Sequence, residues 1–193
     1  MVAAAVEYRQ PEHILPRYAD FMYRVVLGAV AIRSRLYFLA DDAQVCPVCG
    51  DLETYDHLLL RCEFVTAVWA VFQPLVDALK LELPTTLSAL LFEPLVTGQR
   101  YRRRAVAMMW PILRACVLHT VWLARNDRVF RPEAPLVTPE AAAQRAAFLT
   151  KLLNTQALCL FQTMAALRHD AWLRDNFVPA CAVYTPRLPL PLG

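Results

Sequence analysis

A chain of 193 residues with 58% apolar and only 19% charged side chains is long enough to bury a real core, and four scattered glycines leave no glycine-rich loop for a phosphate. The net charge of +3 is below what marks an overt nucleic-acid binder. Six cysteines would suit a secreted disulfide scaffold, but Glu7, Arg9 and Gln10 interrupt the apolar start where a signal peptide would lie, so a reducing intracellular compartment, nucleus or cytoplasm, is expected.

Residues 16 to 39 read as an amphipathic helix, with Phe21, Val25, Ala29, Ile32 and Leu36 at helical spacing and Tyr18 and Met22 widening the stripe. Leu39-Ala40-Asp41-Asp42 then imitates the paired aspartates that hold the metal ions of a polymerase palm. The context opposes that reading. A palm carries its pair on a β-hairpin with a third carboxylate far upstream, whereas only Glu7, Glu12 and Asp20 precede it here and a cysteine turn follows at once.

That turn, Cys46-Pro47-Val48-Cys49-Gly50, is followed by His57 and Cys62, giving C-x-x-C, seven residues, then H-x-x-x-x-C. Three thiolates and one imidazole fill all four corners of a tetrahedron around Zn²⁺, while a catalytic zinc keeps one corner open, so one structural zinc is expected. Pro47 restricts the bend and Gly50 permits a positive φ after it. Thr54 is placed to cap a short helix over residues 55 to 61 that aims His57 back at the turn, with Cys62 closing the site from its end.

Val65, Val68, Trp69, Phe72, Leu75, Val76 and Leu79 form a further helical stripe, bent near Pro74, and Pro84-Thr85-Thr86 opens a short helix through Leu91. From Arg102 to Arg125 nearly every face is apolar, which marks a central helix with Pro111 as a kink or a start. Residues 105 to 123 have the length of a membrane span, but Arg114 and His119 lie inside it, and a central arginine costs about 3 kcal/mol on insertion. A membrane is not an expected partner. Pro132, Pro135 and Pro139 mark a linker, Thr138 an N-cap and Pro139 the first position of a last helix to about Leu167, before an extended tail carrying Pro186, Pro189 and Pro191. Cys116, Cys159 and Cys181 fall in or near apolar segments and read as small hydrophobes, and Asp170 and Asp175 as surface charges.

Residues 97 to 131 hold eight arginines against the single Asp127, a local +7 in a chain of +3, which leaves the remainder at −4. Arg100, Tyr101, Arg102, Arg103 and Arg104 sit where the central helix begins, and a cation at a helix N-terminus opposes the macrodipole by about 0.3–1 kcal/mol. Phosphate binding would justify that run, with Tyr101 available to stack on a base and Arg61 a further phosphate contact beside the zinc turn. The competing reading is a solvated helix end in a chain that prefers arginine to lysine throughout.

Cys46-Pro47-Val48-Cys49-Gly50, Glu53-Thr54, His57-Leu58, Cys62 and Trp69 together resemble the reverse-transcriptase zinc-binding domain of non-LTR retrotransposon polyproteins. Upstream, Leu27-Gly28-Ala29, Arg33, Arg35 and Leu36 are similar to the segment that leads into its site. Downstream, Trp122, Arg125-Asn126 and Phe130 resemble its W-x-x-R-N and Phe signature. The resemblance covers roughly residues 18 to 131. The expected fold is all-α, a helical domain with a small CCHC zinc-stapled turn-helix lobe near the N-terminus. Residues 1–131 form the zinc-binding-like domain with its lobe at 45–63, 132–139 a linker, 140–185 a helical segment packed on the first, and 186–193 the tail. The expected function is that of a nucleic-acid-binding accessory domain with no catalytic residues of its own. The alternative is a protein-interaction or structural module, an element remnant that packs against a reverse transcriptase or another partner.

Overall fold

The computed structural model describes residues 14–160; the side chains of Asp41, Tyr101, Arg104, Ala105, Met108 and residues 151–160 lie outside that description. The side chain of Cys159, all of Cys181, Asp170 and Asp175, the end of the last helix and the proline-bearing tail therefore fall outside it as well.

The chain is mostly helical. Among the described residues the helices are α1 (Pro16–Val26), α2 (Glu63–Ala70), α3 (Gln73–Leu79), α4 (Leu87–Phe92), α5 (Arg103–Phe130) and α6 (Pro139–Leu160), with a long irregular segment between α1 and α2 and a two-stranded ribbon, β1 (Leu81–Glu82) antiparallel to β2 (Val96–Thr97). Two paired residues per strand are too few for an alternating pattern to announce them. The ribbon forms because Lys80 takes a left-handed φ of 49° at the end of α3 and Thr97 Oγ1 donates to the Leu79 carbonyl at 2.6 Å.

The first helix is shorter than the expected span of 16 to 39. It stops at Val26 because Gly28 takes φ +64°, and the bonds Ala29 N–H to Arg24 O (2.7 Å) and Gly28 N–H to Val25 O (3.0 Å) form a Schellman cap. Ile32 still reaches the core, and Arg33–Arg35 makes one turn of 3-10 helix. The bend expected near Pro74 is present, with α2 and α3 separated at residues 71 and 72 and Pro74 in the first turn of α3. Thr86 caps α4 by accepting from Ala89 N–H, and Thr138 accepts from Ala141 N–H at 3.2 Å with Pro139 opening α6.

Helix α5 is the centre of the fold. Every residue from Ile112 to Val121 is buried, and the helix runs without interruption through Pro111. Arg114 is buried within it, and its Nη1 donates to the Leu90 carbonyl at 2.8 Å near the end of α4. His119 packs edge-on against Tyr18 (5.0 Å between ring centroids) and Phe21 (5.3 Å), tying α1 to α5. On the other side Ala142, Ala143 and Ala146 are buried, and their small side chains let α6 approach closely. Among the described residues no single helix is long and apolar enough to cross a membrane.

Candidate metal centre

The hairpin that carries Cys46 and Cys49 is closed by an antiparallel bridge between Val45 and Leu52, with Cys46 N–H donating to Asp51 O (2.6 Å) and Gly50 N–H to Cys46 O (3.0 Å). Gly50 takes φ +85° with open space where a Cβ would stand, so conformation alone asks for glycine there. Thr54 accepts from His57 N–H at 3.0 Å, the cap expected from sequence. The short helix expected there is present, and most of it is not of the α form. His57–Arg61 is a π-turn closed by Cys62 N–H to His57 O at 2.7 Å. At 3.6 residues per turn, positions five apart lie roughly 140° apart around the axis. The wider i→i+5 turn brings His57 and Cys62 towards one side, which gives H-x-x-x-x-C its geometric sense. Leu58 and Leu59, buried within the same turn, anchor it to the core.

The four ligand atoms of Cys46, Cys49, His57 and Cys62 all lie within 4.8 Å of one another. Cys46 Sγ and Cys62 Sγ are 3.8 Å apart, the edge that a tetrahedral ion with Zn–S bonds of about 2.3 Å requires. Cys49 Sγ and His57 Nε2 are 3.2 Å apart, a few tenths shorter than the corresponding sulfur–nitrogen edge. With Nε2 turned to the sulfurs, Nδ1 faces Asp51 Oδ2 at 3.9 Å, a carboxylate positioned to steady the ring. The Cys46 thiol is drawn down to about 4, first by its hydrogen bond with Cys62, and that same bond pushes Cys62 up. Burial raises Cys49. A metal must displace the protons these raised thiols hold, so acid opposes binding. Three sulfurs and one imidazole nitrogen at these separations fit one structural Zn²⁺.

The lobe is fastened to the rest of the chain by Glu53, which is fully buried. Arg125 of α5 grips both of its oxygens, Nε to Oε2 at 2.9 Å and Nη2 to Oε1 at 2.5 Å, and Arg33 N–H donates to Oε1 at 2.8 Å. The guanidinium lies over the Trp122 ring (4.9 Å) and also donates to Asn126 Oδ1 (3.0 Å). Trp122, Arg125 and Asn126 are thus the parts of one clamp. Both halves of the pair stand out in the sequence, but their partnership across 72 positions does not. Gly28 and Arg35 form a smaller version upstream, Arg35 Nη1 donating to Gly28 O at 2.5 Å with its guanidinium 6.0 Å from the Tyr55 ring centre.

The remaining expected site residues are not brought to the metal centre. Arg61 is exposed and paired with Asp56. Arg100 and Arg103 are exposed at the start of α5, and neither is in an ion pair among the described residues. Arg102, expected at the surface with them, is instead 8% exposed, because the 3-10 turn Arg100–Arg102 that precedes α5 rotates it inward. The side chains of Tyr101 and Arg104 lie outside the described residues. Asp41 and Asp42 belong to a turn of 3-10 helix, Asp41–Ala43, unlike the β-hairpin of a polymerase palm.

Residues 9–69 match the family model described as zinc-binding in reverse transcriptase. This segment is similar to the reverse-transcriptase zinc-binding domain, and the four residues that could hold a metal all fall inside the match. No curated protein and no solved structure matches the chain.

Proposed function

We propose that this zinc-binding domain is an accessory nucleic-acid-binding module derived from a non-LTR retrotransposon polyprotein, and that it has no catalytic activity of its own. The reading is supported above all by the family match over residues 9–69 with a closed set of four ligands inside it, a site with no corner left for substrate. Nucleic acid as the partner is supported by Arg100 and Arg103. Both are exposed at the positive end of the helix macrodipole, and no carboxylate pairs with either among the described residues. Phosphates would supply the missing counter-charge. Arg102 leaves the contact set because it is buried, and Arg61 enters it only by giving up Asp56. Titration of the zinc-loaded chain with unrelated oligonucleotides at several salt concentrations tests the reading. Binding that weakens with salt and differs little among sequences is expected, and no measurable binding at low salt would leave the protein-interaction alternative in its place.

A further inference from the structure

We propose that Tyr37 and Phe38 are a stacking platform for the unpaired bases of single-stranded nucleic acid, an inference that rests on the nucleic-acid reading above. The two rings are 94% and 71% exposed, and among the described residues only Phe130, at 72%, is an aromatic side chain of comparable exposure. They occupy the two central positions of a tight turn closed by Leu39 N–H to Leu36 O at 2.8 Å, with ring centroids 6.0 Å apart at 81°.

That turn is held firmly from both sides. Leu36 N–H donates to Arg33 O, Arg33 N–H to the buried Glu53 carboxylate, and Arg33 Nη1 to Val45 O at 3.1 Å. On the far side Gln44 Nε2 donates to Leu39 O at 3.1 Å, while Gln44 O accepts from Glu53 N–H. The scaffold of the metal centre therefore fixes a turn whose tip contributes nothing to the core. Leaving two large rings in water forgoes the burial that a pair of aromatic side chains would otherwise bring.

The arginines that lead into the turn point to the occupant. Arg33 and Arg35 lead into the turn, and among the described residues neither guanidinium is in an ion pair, both donating to backbone carbonyls. Two acidic residues, Asp41 and Asp42, follow the turn on its other flank. Exposed aromatic faces in a segment that also carries arginines outside any ion pair suit a strand that offers flat bases and a phosphate backbone together. Rings set at a right angle cannot clamp one base between them, so each ring receives its own.

The test compares the full zinc-loaded chain with Tyr37→Ala/Phe38→Ala and with Tyr37→Trp, using a single-stranded twelve-nucleotide probe and its duplex. The double alanine variant should lose about 10- to 100-fold in single-strand affinity, in keeping with stacking strengths per base. Its salt slope, helicity and zinc content should be unchanged, because the rings touch neither phosphates nor core. In Tyr37→Trp the new indole should be quenched by the single strand and far less by the duplex. Wild-type binding with affinity kept within twofold in the double variant overturns the platform alone. Equal losses on single strand and duplex also overturn it, and a wild type that binds neither probe removes the platform and the nucleic-acid reading together.

Discussion

The carboxylate of Glu53 and the guanidinium of Arg125 meet in a buried two-pronged ion pair that joins the metal-binding lobe to the longest helix of the fold. Glu53 follows the cysteine hairpin by a single residue after Leu52, and Arg125 lies well beyond the segment that matches the family. The lobe and α5 are therefore parts of one folded unit. Because a buried pair is costly to break from one side, Glu53→Gln or Arg125→Leu alone should destabilise the chain by about 3–5 kcal/mol. Denaturant unfolding of both single variants and the double variant should show strongly non-additive losses, and additive effects would mean the pair does not act as a unit.

Gly28→Ala should cost about 1–2 kcal/mol through its left-handed backbone. A Cβ there would collide with Arg35 Nη1, so the guanidinium must also move from the carbonyl it holds. Unfolding midpoints read the loss, while the zinc content should stay normal because the four ligands are untouched.

His119 is driven down to about 4 from its ordinary value near 6.5, first by burial and then by the charges of Arg17 and Arg145. The neutral ring is the one that fits between Tyr18 and Phe21. Its contribution is complete above pH 6.5 and is lost as the pH falls towards 4, since across that window the unfolded chain binds the extra proton. Between pH 7 and 4.5, His119→Phe should lose less stability than wild type in thermal unfolding. Parallel pH profiles would show that the ring titrates normally.

Much of this architecture was legible because apolar spacing and caps act locally. Thr54 and Thr138 each cap where the sequence places them, Thr86 caps the helix expected to open at Pro84-Thr85-Thr86, and the all-round apolar run from Arg102 to Arg125 marked the buried helix. The four metal ligands were legible for the same reason, since their spacing is a short-range signal. What escaped depends on distant or three-dimensional facts. The early stop of α1 turned on the positive φ of Gly28 within an otherwise unbroken apolar stripe. The π-turn at His57 leaves no mark in residue type, and the burial of Arg102 follows from the rotation of a single 3-10 turn. Glu53 and Arg125 each stood out, but pairing them required the fold.

Replacing Arg100 and Arg103 together by glutamine should weaken nucleic-acid binding about equally for unrelated sequences. The dependence on salt should flatten by roughly 0.7 units per lost contact on a single strand. Zinc content and helicity should be those of the parent chain. An unchanged slope would take phosphate contacts away from the start of α5.

Asp41→Ala with Asp42→Ala should leave affinity unchanged or slightly improved, because removing negative charge reduces repulsion of phosphates. Neither parent nor variant should extend a primer with divalent metal present. Extension abolished by the double change would restore the metal-holding role of the aspartate pair.

The most direct test of the account is the metal content of the chain purified with zinc present, read by native mass spectrometry. One Zn²⁺ per chain is predicted, lost in Cys46→Ser and Cys62→Ser, whose sulfurs stand 3.8 Å apart, and released by chelation with loosening of residues 40 to 65 before the rest. Less than half an equivalent of zinc in the parent chain, or full occupancy retained in both serine variants, would contradict it.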